Sequence, residues 1–115
     1  MTTRALIAAS AKSIVLSLLM GGESYGYQIL QRVRRVSGGT LKWSSSMLYP
    51  VLHRLEKDGL IRSQWKPSGE GRMRKYYALT KAGREELVTE KEQWFSVHDA
   101  LRKFWALVET PGSNE

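Results

Sequence analysis

There is no cysteine among the 115 residues. Its absence excludes a disulfide framework, a thiolate metal site and a thiol nucleophile. Histidine is nearly missing as well. His53 and His98 stand in different segments, so a histidine-based zinc site is not expected. No apolar run approaches the ~20 residues that span a bilayer. The longest patch, "SIVLSLLM", is preceded by Lys12 and broken by serine. It lacks the basic start and cleavage site of a signal peptide, and reads better as one face of a core helix. The chain therefore reads as cytoplasmic, with no membrane partner. There is no phosphate loop, no paired metal ligand set and no hydrolase motif around either histidine. No catalytic residue, metal site or cofactor is expected, and the chain reads as a non-enzyme.

What is present fits one compact domain. Hydrophobic residues make up 42% and charged residues 25%, ordinary values for a folded protein. Acidic residues are scarce: 11 against 18 basic, a net charge of +7. The imbalance is local. Residues 1–61 carry +5, residues 62–84 carry +6, and residues 85–115 carry −4. A basic body with an acidic end suggests two surfaces with two tasks, the first facing a polyanion. A solubility charge is the plainer alternative.

The hydrophobic period divides the chain. Residues 4–20 are predicted helical, with Leu6, Ile7, Ile14, Val15, Leu18 and Leu19 at three-to-four spacing. Thr2 or Thr3 can cap the start, and Gly21-Gly22 ends it. Residues 24–37 form a second predicted helix, with Ser24 as N-cap and a stripe of Tyr25, Ile29, Leu30, Val33 and Val36. Gly26 lies inside it, where glycine usually permits the close approach of another backbone. A third helix over 44–58 buries Leu48, Leu52 and Leu55. Any of Ser44, Ser45 or Ser46 can cap it, and Gly59 closes it. Pro50 pins its start near 45–47, because proline belongs near a helix's first turn. The period then changes. "LIRSQW" and "RKYYALT" read as strands joined by "KPSGEGRM", a hairpin with a basic tip. From Thr80 a last helix runs to about Val108, its apolar positions being Leu87, Trp94, Val97, Leu101, Phe104, Trp105 and Val108. Residues 110–115 read as a frayed tail.

This order predicts a mainly α fold with a small β-hairpin: a winged helix-turn-helix over 1–79, then a long C-terminal helix over 80–109. The third helix would enter a DNA major groove. Its outward face carries Ser46, Tyr49, Pro50, His53, Arg54 and Lys57, with Lys42, Ser44 and Ser45 just ahead. Arg72, Arg74 and Lys75 would form a basic wing tip along phosphate or in the minor groove. Each has a plainer account. The serines can be cap and loop only. Tyr49 can pack by its ring, and His53 and Lys57 can be simply solvated. Three cations on one exposed tip are harder to explain away.

Three stretches carry a resemblance: "YGYQI" at 25–29, "LYPVLHRLEKDGLI" at 48–61 and "GRMRKYYALTKAG" at 71–83. Together they resemble the PadR family of bacterial transcriptional regulators, in order and spacing over nearly the whole chain. The single short C-terminal helix is similar to the small, LmrR-like subfamily of multidrug-responsive repressors. The resemblance implies a homodimer built from the first and last helices, presenting two recognition helices to a pseudo-palindromic operator in double-stranded DNA. It also implies that Tyr27 and Tyr49 touch the DNA backbone and that Lys75 and its arginine neighbours form the wing. One position departs from the family pattern. A small pair such as Gly-Thr usually precedes "LYP", whereas Ser46-Met47 stands here, and Met47 cannot donate a hydrogen bond.

The resemblance further implies a ligand site at the dimer interface, where Trp94 and its symmetry mate would stack a planar aromatic drug. Leu87, Glu90 and Val97 would line it. Two indole faces in an apolar slot can sandwich a flat cation or phenol. Glu90 suits a cation and Lys91 a phenolic anion, so charge does not choose between the two effectors. Plain dimer packing is the alternative role for Trp94. A winged helix can also serve as a protein-interaction or RNA-binding module, which the fold alone does not exclude. Duplex RNA hides its major groove, so a protruding helix would be poorly used there.

Overall fold

The computed structural model describes residues 4–109. The elements are α1 (Arg4–Leu19), β1 (Ser24–Tyr25), α2 (Gly26–Val36), α3 (Ser45–Lys57), β2 (Ile61–Pro67), β3 (Met73–Leu79) and α4 (Lys81–Glu109). The expected fold class holds, with one addition. The hairpin gains a third strand, giving an antiparallel sheet in the order β1-β3-β2. Ser24 pairs with Tyr77 and Tyr25 with Tyr76. The expected Thr2 or Thr3 cap and the 110–115 tail lie outside the described residues.

Ser24 is therefore not the N-cap of α2. It is buried in β1, and its hydroxyl accepts from Arg32 Nη1 at 3.4 Å. Tyr25 takes the cap position instead, with its N–H donating to Gln28 Oε1 at 3.3 Å. Arg32 also donates to the Leu18 carbonyl, 3.1 Å away, near the end of α1. That carbonyl also accepts from the Gly21 N–H at 3.2 Å, and a second, cationic donor suits the negative end of the helix.

The core is one cluster. Val15, Leu16, Ile29, Leu48, Leu52 and Ile61 are fully enclosed, and Trp43, Tyr77, Leu79 and Leu87 close its edges. Val36 was expected in this stripe but is exposed. It is the last residue of α2, one turn beyond buried Val33, where the helix leaves the core.

The helix ends follow the sequence closely. The Gly59 N–H donates to the Glu56 carbonyl and the Leu60 N–H to the Leu55 carbonyl, each at 3.0 Å. Gly59 has φ of +76°, so this is the left-handed closure expected there. Thr80 caps α4, its Oγ1 accepting from the Gly83 N–H at 3.0 Å. Gly83 itself is a close approach that the sequence did not reveal. A Cβ there would overlap the Leu60 carbonyl oxygen and lie 3.0 Å from its carbon. The bare glycine lets α4 pass against the α3–β2 turn and so fixes the helix's exit from the body.

Beyond Leu87 the last helix leaves the core. Residues 91–109 are all exposed, and the molecule measures 69 × 28 × 21 Å. Lys12 on α1 ion-pairs with Glu86, and its Nζ lies 3.8 Å from Glu90. Ser13 Oγ donates to Glu90 Oε1 at 2.6 Å. These contacts fasten the first turns of α4 to α1. No helix of the described residues is long and apolar enough to cross a membrane.

Candidate nucleic-acid interface

Ser44 has extended backbone (φ −97°, ψ 166°) and occupies the N-cap of α3. Its hydroxyl makes no capping bond and lies 2.9 Å from Ser46 Oγ instead. Ser44, Ser45 and Ser46 are all exposed, and so are Lys42, Tyr49, Pro50, His53 and Arg54. Pro50 sits in the second turn, where its ring nitrogen has no hydrogen to donate to the Ser46 carbonyl. Met47 is half-buried and packs against the core. The residue that departs from the family pattern thus points inward, leaving Ser46 as its exposed polar neighbour. Arg54 Nε lies 3.5 Å from Asp58 Oδ2, an exposed pair of little energetic weight that leaves the guanidinium free to exchange partners.

The wing differs from expectation. Its tip is Gly69-Glu70-Gly71, all with positive φ, closed by the Ser68 N–H on the Arg72 carbonyl at 2.7 Å. Only Arg72 belongs to this turn. Arg74 and Lys75 are half-buried in β3, not at the tip, because tyrosine faces receive them. Arg74 Cζ stands 4.4 Å from the Tyr25 ring centroid, and Lys75 Nζ 5.7 Å from that of Tyr77. Lys66 lies 5.0 Å from the Tyr76 ring and pairs with Glu23. Tyr25 and Tyr76 meet edge to face at 5.3 Å. Cation–π contacts of this kind hold the strand's charges against the sheet.

Tyr49 bridges helix and wing. Gly26 admits this side chain, rather than another backbone: a Cβ there would overlap the Tyr49 hydroxyl and lie 2.8 Å from Cζ. Tyr27, Tyr49, Trp65, Met73 and Lys75 share a cleft of about 290 Å³ between α2, α3 and the sheet. Tyr77 lines its inner wall. Burial raises the Tyr77 hydroxyl's pKa above its usual 10.0, and the nearby Tyr49 and Glu56 raise it further. It therefore stays neutral in the physiological range.

Two residues of this face were not anticipated. Trp65 is 62% and Met73 53% exposed, both unusual for such large apolar side chains. Trp65 pairs with Lys75, and Met73 with Pro67, so all four lie on the sheet face that buries Ile61 and Tyr77 further in. The alternation Ile61, Ser63, Trp65 was the available signal. A buried start and an exposed end on one face mark a strand that leaves the core.

The residues expected at a ligand site, Leu87, Glu90, Trp94 and Val97, share one stripe of α4 at three-to-four spacing. Leu87 is in the core, and Glu90 is engaged by Ser13 and Lys12. Trp94 and Val97 are exposed further along α4.

Comparison with known proteins agrees with this geometry. Residues 15–89 match the family described as the transcriptional regulator PadR-like family. A transcriptional regulator from Clostridium thermocellum superposes with a TM-score of 0.83 at 30% identity, covering 90% of this chain and 98% of that one. A PadR family transcriptional regulator from Eggerthella lenta gives a TM-score of 0.75 at 30% identity, covering 88% and 86%. The negative transcriptional regulator PadR of Bacillus subtilis is 33% identical over 90 residues, which are 78% of this chain and 47% of that protein. These relatives are regulators, not enzymes. With a winged helix whose α3 stands free beside a basic, aromatic sheet, this chain belongs to the PadR-like family of transcriptional regulators.

Proposed function

We propose that the protein is a homodimeric repressor that binds a pseudo-palindromic duplex operator through α3 and the wing. One observation carries the DNA reading. The outer face of α3, the α2 tyrosine Tyr27 and the wing cation Arg72 are exposed together, while Leu48, Leu52 and Leu55 turn the opposite face of α3 into the core. Ser46, Tyr49, His53 and Arg54 would meet the major groove. Tyr27, Lys42, Ser44, Ser45 and Lys75 would hold the backbone, with Arg72 reaching the adjacent groove.

The dimer reading rests on α4. Trp94, Val97, Leu101, Phe104 and Val108 are exposed and recur at alternating spacings of three and four. This is the seam of a coiled coil, which is stable only when a second helix covers it. Residues 80–109 are accordingly the dimerisation helix, and residues 1–79 the DNA-binding unit, with α1 contributing to the interface.

Fluorescence anisotropy against the gene's own upstream DNA tests the first claim. The expected result is much tighter binding than to a scrambled duplex, with both weakening as salt rises. No binding to either duplex at low salt would favour a protein-interaction module. Preference for RNA of equal length would point to the other alternative.

A ligand at the seam is a separate proposal. Trp94 remains 39% exposed at the head of the stripe. A planar aromatic compound would stack there between two protomers. Its test is quenching by a planar cationic dye and by a phenolic acid, lost in Trp94→Leu while the dimer persists.

A further inference from the structure

We infer that the cleft between α2 and the 38–43 loop grips the DNA backbone outside the stretch covered by α3, and so lengthens the operator footprint. The inference rests on the chain's being a duplex-DNA binder. It adds a surface that neither the recognition helix nor the wing supplies.

The cleft encloses about 720 Å³ and is lined by Arg34, Arg35, Lys42 and Gln31, over the Trp43 ring. No carboxylate lines it. Among the described residues, none of the three cations has an ion pair or a side-chain hydrogen bond. Elsewhere on the body, Arg32, Lys66 and Arg74 are each committed to a carbonyl, a carboxylate or a ring. Like charges gathered round one concavity repel each other until an anion enters it.

The chain is folded to gather them. Gly38 and Gly39 take positive φ, and the Gly39 N–H returns to the Arg34 carbonyl at 2.8 Å. This reverses the chain over the end of α2. Trp43, 7% exposed, anchors the returning loop, and its indole N–H has no acceptor in the protein. Lys42 is thereby set beside the two arginines.

Position selects the occupant. Tyr27, from the first turn of α2, lies in the same lining, and Ser44, the cap of α3, follows Trp43 directly. The cleft therefore continues the proposed interface at its outer edge. Guanidinium groups favour bidentate contact with phosphate oxygens. A row of phosphates engages all three cations at once, which a single small anion does not. The contact reads no sequence.

The test starts with an operator selected from a random duplex pool by the wild-type protein. Ethylation interference and salt titration are then run on wild type, Arg34→Ala/Arg35→Ala and Arg34→Lys/Arg35→Lys. The alanine pair is expected to lose interference only at phosphates flanking the base contacts. It should bind about 10-fold more weakly at 0.1 M salt, and its salt slope should be shallower by about two per protomer, because each phosphate contact contributes about 0.9. The lysine pair should keep most of the slope. Both sites are exposed, so folding is not at risk, and thermal unfolding checks it. An unchanged slope and interference pattern in the alanine pair would overturn the inference. So would a changed base preference, or weaker binding with the flanking contacts intact. If the wild type selects no duplex, the DNA-binding reading itself fails, and that failure is visible before any variant is made.

Discussion

A methyl group at Gly83 meets backbone, while one at Gly26 meets the far end of a side chain. The difference sets the sign of two substitutions. Alanine ordinarily improves a helix over glycine by about 1 kcal/mol. At Gly83 the Leu60 carbonyl cannot rotate away, and overpacking of this kind costs about 1–3 kcal/mol or more. Gly83→Ala is expected to destabilise by about 2 kcal/mol net, read as a lowered thermal midpoint. At Gly26 the Tyr49 ring can swing outward, since it is already 46% exposed. Gly26→Ala should leave stability within about 1 kcal/mol of wild type, yet weaken duplex binding several-fold by displacing Tyr49. Tyr77 gives a pH signature. Its folded pKa is raised by burial, then by Tyr49 and Glu56. The unfolded chain therefore releases this proton first as pH climbs past 10. Stability from this group is complete below that point and is lost as pH rises through the folded value. Denaturant titrations from pH 8 to 11.5 should show the decline, flattened in Tyr77→Phe.

At the scale of elements, the helices could be read because their signals are local. Apolar spacing, Gly59, Thr80 and Gly38-Gly39 each act within a few residues of the end they define. The strand β1 could not be read. It is two residues long, and Ser24 and Tyr25 become a strand only by pairing with Tyr77 and Tyr76, far away in sequence. The wing was legible as a basic hairpin but not as a set of ring-held cations, since which tyrosine receives which charge depends on sheet register. Its exposed apolar edge now makes a prediction. Trp65→Ala should leave the thermal midpoint nearly unchanged, as surface substitutions do, while reducing duplex affinity. Equal affinity in the two proteins would remove the sheet face from the interface. On α4 the seam was legible as apolar positions, although their lack of cover was not. Leu101→Glu places a charge in the middle of that seam. It is expected to convert a dimer to a monomer in sedimentation at micromolar concentration, with the winged-helix core intact by tryptophan emission from Trp43.

Seen whole, the molecule is a basic head on a long exposed arm, whose residues 91–109 carry three basic and three acidic side chains and so no net charge. The separation suits its two surfaces. Positive charge on the head is drawn to phosphate, and the neutral arm adds nothing to that attraction. Affinity for any duplex should therefore fall steeply between 50 and 200 mM salt, while dimerisation, resting on apolar contact, changes little. Paired titrations by anisotropy and by sedimentation would separate the two. The arm is joined to the head at one end only. Lys12 and Ser13 hold Glu86 and Glu90, and 19 residues run on from Glu90 to Glu109. At 1.5 Å per residue that is a lever of about 28 Å. A tilt of about 10° at its fulcrum sweeps the far end through about 5 Å, the rise of one helical turn. In a pair of such molecules joined arm to arm, the spacing of the heads would follow the angle at which α4 leaves the body, an angle held by the close approach of Gly83 to Leu60 together with the Lys12 and Ser13 contacts.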